Sequence, residues 1–63
     1  MKFQIEIIRA DAASTMVVCR TIVDETSPHR AKTKAAALMS LYAGRGANKA
    51  RILNAKNEEL FVI

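Results

Sequence analysis

The chain has 63 residues, 51% of them hydrophobic, and a formal net charge of +4 at pH 7. A chain of this length forms one small domain that buries only about 60% of the surface its unfolded form exposes, so its core is marginal. One cysteine and one histidine exclude an internal disulfide and leave too few soft ligands for a structural zinc site. Association with a second copy is therefore the leading way for such a chain to gain stability.

Composition also indicates where the protein acts. The single cysteine is typical of a reducing compartment, the N-terminus has no signal-peptide pattern, and the apolar runs are too short to span a bilayer. We therefore predict a cytoplasmic protein that does not contact membranes. The net positive charge indicates a mild preference for anionic partners.

Two β-strands are predicted before residue 24. Residues 2–9 alternate, with Phe3, Ile5 and Ile7 on one side, which predicts a half-buried strand. Residues 10–15 are small and polar, and they form a connection short enough to lead into an antiparallel neighbour.

The second predicted strand covers residues 16–23, and its buried face has two candidates. The first candidate set is Val17, Cys19, Thr21 and Val23. The second candidate set is Met16, Val18, Arg20 and Ile22. We favour the first, because burying the hydroxyl of Thr21 costs far less than burying the charge of Arg20.

The one convincing helix pattern begins at Ser27. Ser27 is a suitable N-cap, and Pro28 suits the first helical position, where its missing N–H is not needed. Gly44 suits the residue that follows a helix, so we predict a helix over about residues 28–43. The predicted apolar stripe, with its two shoulder residues last, consists of Ala31, Ala35, Leu38, Tyr42, Met39 and Leu41.

Residues 49–54 and 59–63 predict two further strands, joined by a turn in which Asn57 is able to take a positive φ. The order ββαββ predicts an α+β fold, in which a four-stranded, mostly antiparallel sheet carries one helix on one face. The order of the strands within the sheet stays open at this point.

A single helix covers only one face of a sheet. The opposite face is predicted to carry Ile8, Val18 and Ile22, an exposed apolar patch of the kind that marks a partner surface. This pattern predicts a small interaction module, most simply a homodimer that buries the helix-free face, or a module that binds another protein.

Basic residues support an alternative function. Three cations in the first turns of the helix and three that follow it predict anion or nucleic acid contacts by Arg30, Lys32, Lys34, Arg45, Lys49 and Arg51. The cations in the first turns of the helix also fit a solvated helix flank whose charge is balanced by Asp24 and Glu25. The aromatic side chains of Phe3, Tyr42 and Phe61 fall on predicted core faces, so base stacking is not predicted.

Two local resemblances accompany these patterns. Residues 27–38 resemble the second helix of double-stranded-RNA-binding domains, and this resemblance implies phosphate contacts for Arg30, Lys32 and Lys34. That family has a helix before its strands, and this sequence has none at that position. Residues 44–61 resemble the end of short uncharacterised bacterial proteins in which a glycine-containing loop leads to a final hairpin, a resemblance that implies no particular activity.

No residue pattern predicts catalysis. Cys19 lies in the middle of a strand, which favours a buried and inert thiol, and His29 has no evident acid or base partner. The carboxylates show no metal-ligand spacing. We therefore predict a protein that is not an enzyme, with no catalytic residue, no metal and no cofactor.

Overall fold

The computed structural model describes residues 1–63. The elements follow in the order β1 (Lys2–Ala10), β2 (Thr15–Asp24), α1 (Pro28–Leu41), a 3₁₀ turn (Ala43–Arg45), β3 (Lys49–Leu53) and β4 (Glu59–Val62). The predicted ββαββ order and α+β fold are confirmed. The longest helix, α1, has 14 residues, and no helix has both the length and the apolar character needed to cross a membrane.

The four strands form one sheet in the order β2-β1-β3-β4, and every neighbouring pair is antiparallel. β2 and β3 are therefore parallel to each other with β1 between them, and α1 crosses over β1 to connect them. β1 pairs with a neighbour on each side, which explains why it is the most buried strand.

The core lies between α1 and the sheet. Its largest fully buried side chains are Ile5, Ile7 and Ile52. On the helix, Ala31 and Ala35 are fully buried, because their small side chains let α1 approach the sheet closely. The partly buried helix-side residues packed against this core are Leu38, Met39 and Tyr42.

The buried face of β2 confirms most of the set favoured from the sequence. Cys19, Thr21 and Val23 lie opposite buried residues of β1, on the side that faces α1. Arg20 alternates with them and lies on the other face, as the cost of burying its charge predicts.

A β-bulge makes the inward prediction for Val17 wrong. The register between β1 and β2 shifts between Ile7, which pairs with Cys19, and Ile8, which pairs with Val17. Val18 is therefore the extra residue on β2. An extra residue reverses the alternation of side chains, so Val17 lies opposite Ile8 on the helix-free side.

The helix α1 begins as predicted and ends earlier. The hydroxyl of Ser27 accepts a hydrogen bond from the backbone N–H of Arg30 at 3.3 Å, and Pro28 is the first helical residue. The helix ends at Leu41, whose side chain is 77% exposed. Its predicted place on the shoulder of the buried stripe is wrong, because α1 rests on the sheet through a narrow stripe of small residues.

Gly46, rather than Gly44, takes the left-handed conformation after α1. Gly46 has a φ of 86°, whereas Gly44 lies inside the 3₁₀ turn. A side-chain carbon at Gly46 would lie 2.8 Å from Cδ of Arg9, so both the backbone and the close packing favour glycine. In the β3–β4 turn, Asn57 has a φ of 62°, as predicted.

The β1–β2 turn is held by one carboxylate. Oδ1 of Asp11 accepts hydrogen bonds from the backbone N–H groups of Ala13 and Ser14, both at 2.8 Å. These two bonds favour the ionised form and lower the pKa of Asp11 below its ordinary value.

Candidate protein-interaction face

The sheet face opposite α1 is not covered by any other element. We call it the helix-free face, and pairing across the strands identifies its members as Lys2, Gln4, Glu6, Ile8, Val17, Arg20, Ile22, Asp24, Lys49, Arg51, Leu53, Glu59 and Val62. On β1, the residues of the helix-free face occupy even-numbered positions and alternate with the buried core residues Phe3, Ile5 and Ile7. The face therefore contains charged and apolar side chains side by side.

Four charged side chains form a continuous row of ion pairs across this face. Nε of Arg20 donates to Oε2 of Glu6 at 2.9 Å, and Nη2 of Arg20 lies 2.8 Å from the same oxygen. Nη1 of Arg51 lies 3.5 Å from Oε1 of Glu6, and Nε of Arg51 lies 3.0 Å from Oε1 of Glu59. In strand order the charges alternate as positive, negative, positive, negative. We call these four residues the charge row.

The charge row is tightly paired at Glu6 and loosely paired at its β4 end. Glu6 is the only charged residue that is buried, with 7% of its surface exposed, and arginines on both sides compensate its lost hydration. Nε of Arg51 is buried without a hydrogen bond, although Oε1 of Glu59 lies 3.0 Å away. That contact is therefore an ion pair that lacks hydrogen-bond alignment.

Apolar side chains border the charge row on the same face. Ile22 is 69% exposed, and Val62 and Val17 are 48% and 40% exposed. Ile8 and Leu53 lie on this face too, but only 4% and 5% of their surfaces are exposed. The apolar side chains of the helix-free face are therefore of two kinds. Ile8 and Leu53 are buried, whereas Ile22, Val62 and Val17 are exposed, and we call these three exposed residues the apolar border.

The three residues predicted as a partner surface differ in their environments. Ile22 is exposed, as expected. Ile8 lies on the helix-free face but is buried, which differs from the expected exposure, and Val18 is half-buried at the β-bulge. Sequence reasoning missed Val17 as a member of this face, because its side depends on the bulge.

Sequence reasoning also missed the charge row. Glu6 lies opposite Arg20 in the β1–β2 hairpin, and these opposite charges on predicted outward positions were a usable signal. Glu6 lies opposite Arg51 on its other side. That second pairing requires the strand order β2-β1-β3-β4, which no local pattern predicts.

The six basic residues predicted as anion contacts lie on different surfaces. Arg51 belongs to the charge row, and Lys49 lies opposite Ile8 on the helix-free face. Nζ of Lys34 forms an ion pair with Oε2 of Glu25 at 2.7 Å on one flank of α1. These contacts neutralise two of the six cations.

The remaining basic residues follow α1 and the turn after it. Nζ of Lys32 lies 5.1 Å from the ring centre of Phe61, on the flank of α1 nearer to β4. The guanidinium of Arg45 lies 5.8 Å from the ring centre of Tyr42, and Arg30 is exposed near the start of α1. The six cations therefore do not form one continuous basic face.

The reactive side chains considered from the sequence are separated from each other. Cys19 is half-buried, and a hydrogen bond between its thiol and the hydroxyl of Tyr42 raises the pKa of Tyr42 above its ordinary value. His29 is exposed on α1. No group of three or more His, Cys, Asp or Glu side chains lies close enough to hold a metal ion.

The helix-free face therefore combines ordered charges and exposed apolar side chains on one uncovered surface. Comparison of the chain with protein families, with curated proteins and with solved structures found no match.

Proposed function

We propose that this chain is a small, non-enzymatic interaction module that works as a homodimer, with the helix-free faces of two copies in contact. The observation that carries the proposal is the exposure of Ile22, Val62 and Val17 around the charge row on an uncovered sheet face. Exposed apolar side chains grouped on one face are typical of protein interfaces.

The small core explains why a second copy stabilises the fold. Only 10 of the 63 residues are buried. Full burial of a fully exposed valine or isoleucine side chain contributes about 1.5–3 kcal/mol, and Ile22, Val62 and Val17 still expose 69%, 48% and 40% of their surfaces, so each can gain part of that value. A symmetric dimer buries each of these residues twice. Contact between two helix-free faces therefore adds apolar burial to a domain whose own core is marginal.

The dimensions of the molecule are compatible with a face-to-face dimer. The structure measures 34 × 21 × 15 Å along its principal axes. Its broad side is therefore roughly 700 Å², close to the about 800 Å² that each partner contributes to a standard interface. Stacked sheets lie about 10 Å apart, so long side chains from two facing sheets can meet.

The alternative, a nucleic-acid-binding module, has weaker support. Phosphate contacts require available cations along one surface. Lys34 and Arg51 are paired with carboxylates, and the other four predicted contacts are divided between α1, the 3₁₀ turn and the helix-free face.

We propose that the module acts in the cytoplasm, where a free thiol such as that of Cys19 is usual.

Sedimentation velocity at micromolar concentration tests the proposal. We expect the unmodified protein to sediment as a dimer and the Ile22→Glu variant as a folded monomer, because the variant would bury a charge between the two faces. Leu41→Glu is the matched control. Leu41 is as exposed as Ile22 but lies in the helix layer, so this variant should remain dimeric.

Two results would contradict the homodimer. One is an unmodified protein that remains monomeric throughout the micromolar range. The other is a Leu41→Glu variant that dissociates as much as Ile22→Glu. An electrophoretic shift of short DNA or RNA at low salt that Arg30→Ala abolishes would favour the nucleic acid alternative.

A further inference from the structure

We infer that the two-fold axis of this dimer runs parallel to the strands, so that β2 of one copy faces β4 of the other and β1 faces β3. The inference rests on the homodimer proposed above and specifies how the two faces recognise each other. The alternating order of the charge row carries it.

Symmetry allows two aligned ways of stacking the helix-free faces. When the axis is parallel to the strands, the strand order reverses between the copies. A row of positive, negative, positive, negative charges then meets a row of negative, positive, negative, positive charges. When the axis is perpendicular to the strands, each strand faces its own copy, and like charges meet.

The parallel axis places opposite charges together along the whole row. Glu6 faces Arg51 of the second copy, and the guanidinium of Arg20 faces the β4 end of the other row, where the carboxylate of Glu59 lies against Arg51. On β4 the residue level with Arg51 is Val62, and Glu59 pairs with Leu53. The carboxylate of Glu59 belongs to the row because its Oε1 lies 3.0 Å from Nε of Arg51. Because the row holds an even number of alternating charges, it is complementary to its own reversal.

The two outer members of the row retain capacity for contacts with a second copy. The side chains of Arg20 and Glu59 are 57% and 49% exposed. Glu6 is 7% exposed and both of its oxygens are already paired, so the direct contacts between copies form at the outer ends of the row. The apolar border supplies the attraction, and the charge row determines the orientation.

Cysteine crosslinking tests the axis directly. In a Cys19→Ser background, Arg20→Cys and Glu59→Cys chains are treated with a short bismaleimide, separately and after mixing. Positions 20 and 59 of different copies should be close, so the mixture should crosslink at least about tenfold more than either chain alone. Efficient crosslinking of Arg20→Cys with itself would overturn the inference and leave the homodimer intact, whereas absence of any dimer in the unmodified protein would remove both.

Charge reversal gives an independent test. Arg20→Glu and Glu59→Arg should each weaken the homodimer at least about tenfold, because each brings like charges together, and an equal mixture should regain the affinity as a heterodimer. Arg30→Glu, the same charge change outside the helix-free face, should have no effect. Reversal variants that dimerise as tightly as the unmodified protein would overturn the inference. Circular dichroism tests whether each reversal variant is folded. If one of them is not, the crosslinking result alone tests the direction of the two-fold axis.

Discussion

Glu6 connects the charge row, and the Glu6→Gln substitution measures what that connection contributes to stability. Glutamine keeps the shape of the side chain but removes the charge shared by Arg20 and Arg51. The backbone pairing of β1 does not depend on the side chain, so the change isolates the ion pairs.

Two opposing terms set the size of the effect. At an effective dielectric constant of about 20, two charges 4 Å apart attract by about 4 kcal/mol before the cost of burial is subtracted. The side chain of Glu6 is only 9% exposed, so that cost is large, and water screens the more exposed arginines. We expect a net loss of about 1–2 kcal/mol in the free energy of unfolding.

Urea and thermal unfolding followed by circular dichroism measure this loss. The protein concentration must be the same for each variant, because association contributes to the measured stability. A loss of about 1–2 kcal/mol lowers the Tm of a domain of this size by roughly 4–15 °C. Glu58→Gln is the matched control, since Glu58 is exposed and lies outside the charge row, and it should change stability by less than about 0.5 kcal/mol.

A Glu6→Gln variant at least as stable as the unmodified protein would refute the reasoning. That result would mean that the free-energy cost of burying the Glu6 carboxylate is at least as large as the stabilisation from its ion pairs with Arg20 and Arg51. A double-mutant cycle with Arg20→Gln isolates one pair, and a coupling energy near zero would show that the contact between Arg20 and Glu6 contributes nothing.

Three further predictions concern the packing and the turns. Ala35→Leu should destabilise the fold by about 1–3 kcal/mol in urea unfolding, because Ala35 is fully buried, and Ala36→Leu at an exposed position should have little effect. Gly46→Ala should lower the free energy of unfolding by about 1–2 kcal/mol, because Gly46 has a positive φ and the side chain of Arg9 lies close to it. Gly44→Ala should be neutral or slightly stabilising, because the space around Gly44 is open. A larger loss of stability for Gly44→Ala than for Gly46→Ala would contradict the left-handed conformation of Gly46. Folding lowers the pKa of Asp11, so its ionised form stabilises the fold above the unfolded pKa and loses that effect as the pH falls through the folded pKa. Unfolding titrations should therefore show Asp11→Asn less stable than the unmodified protein at neutral pH and equal to it in acid, and a difference that is independent of pH would contradict this.

The elements were predictable because their signals are local. The alternation of β1 and the Ser27-Pro28 start of α1 depend on residues that are neighbours in the chain, and both agree with the structure. The end of the helical segment was not predictable in the same way. Gly46 takes the left-handed conformation instead of Gly44 because a 3₁₀ turn over Ala43–Arg45 continues the helical segment past Gly44, and no local pattern in the sequence indicates that turn.

The candidate site was predictable only in outline. A sheet with one helix implies an uncovered face, and Ile22 was correctly expected to be exposed there. The bulge at Val18 changed the side on which Val17 lies, and the strand order placed Arg51 beside Glu6. Both features arise from pairing between distant segments, which period-two alternation does not encode.

The central position of β1 has a consequence for synthesis on the ribosome. β1 is made first, yet its pairing with β3 joins residues such as Ile8 and Lys49, which are far apart in the chain. Until residues 49–53 leave the exit tunnel, the nascent chain has the β1–β2 hairpin and α1 but lacks the third strand of the sheet, and a two-stranded hairpin by itself is marginally stable. One edge of β1, with the apolar row of Phe3, Ile5 and Ile7 beside it, stays open until β3 is made. We therefore expect this domain to complete its folding late, once β3 can pair with β1.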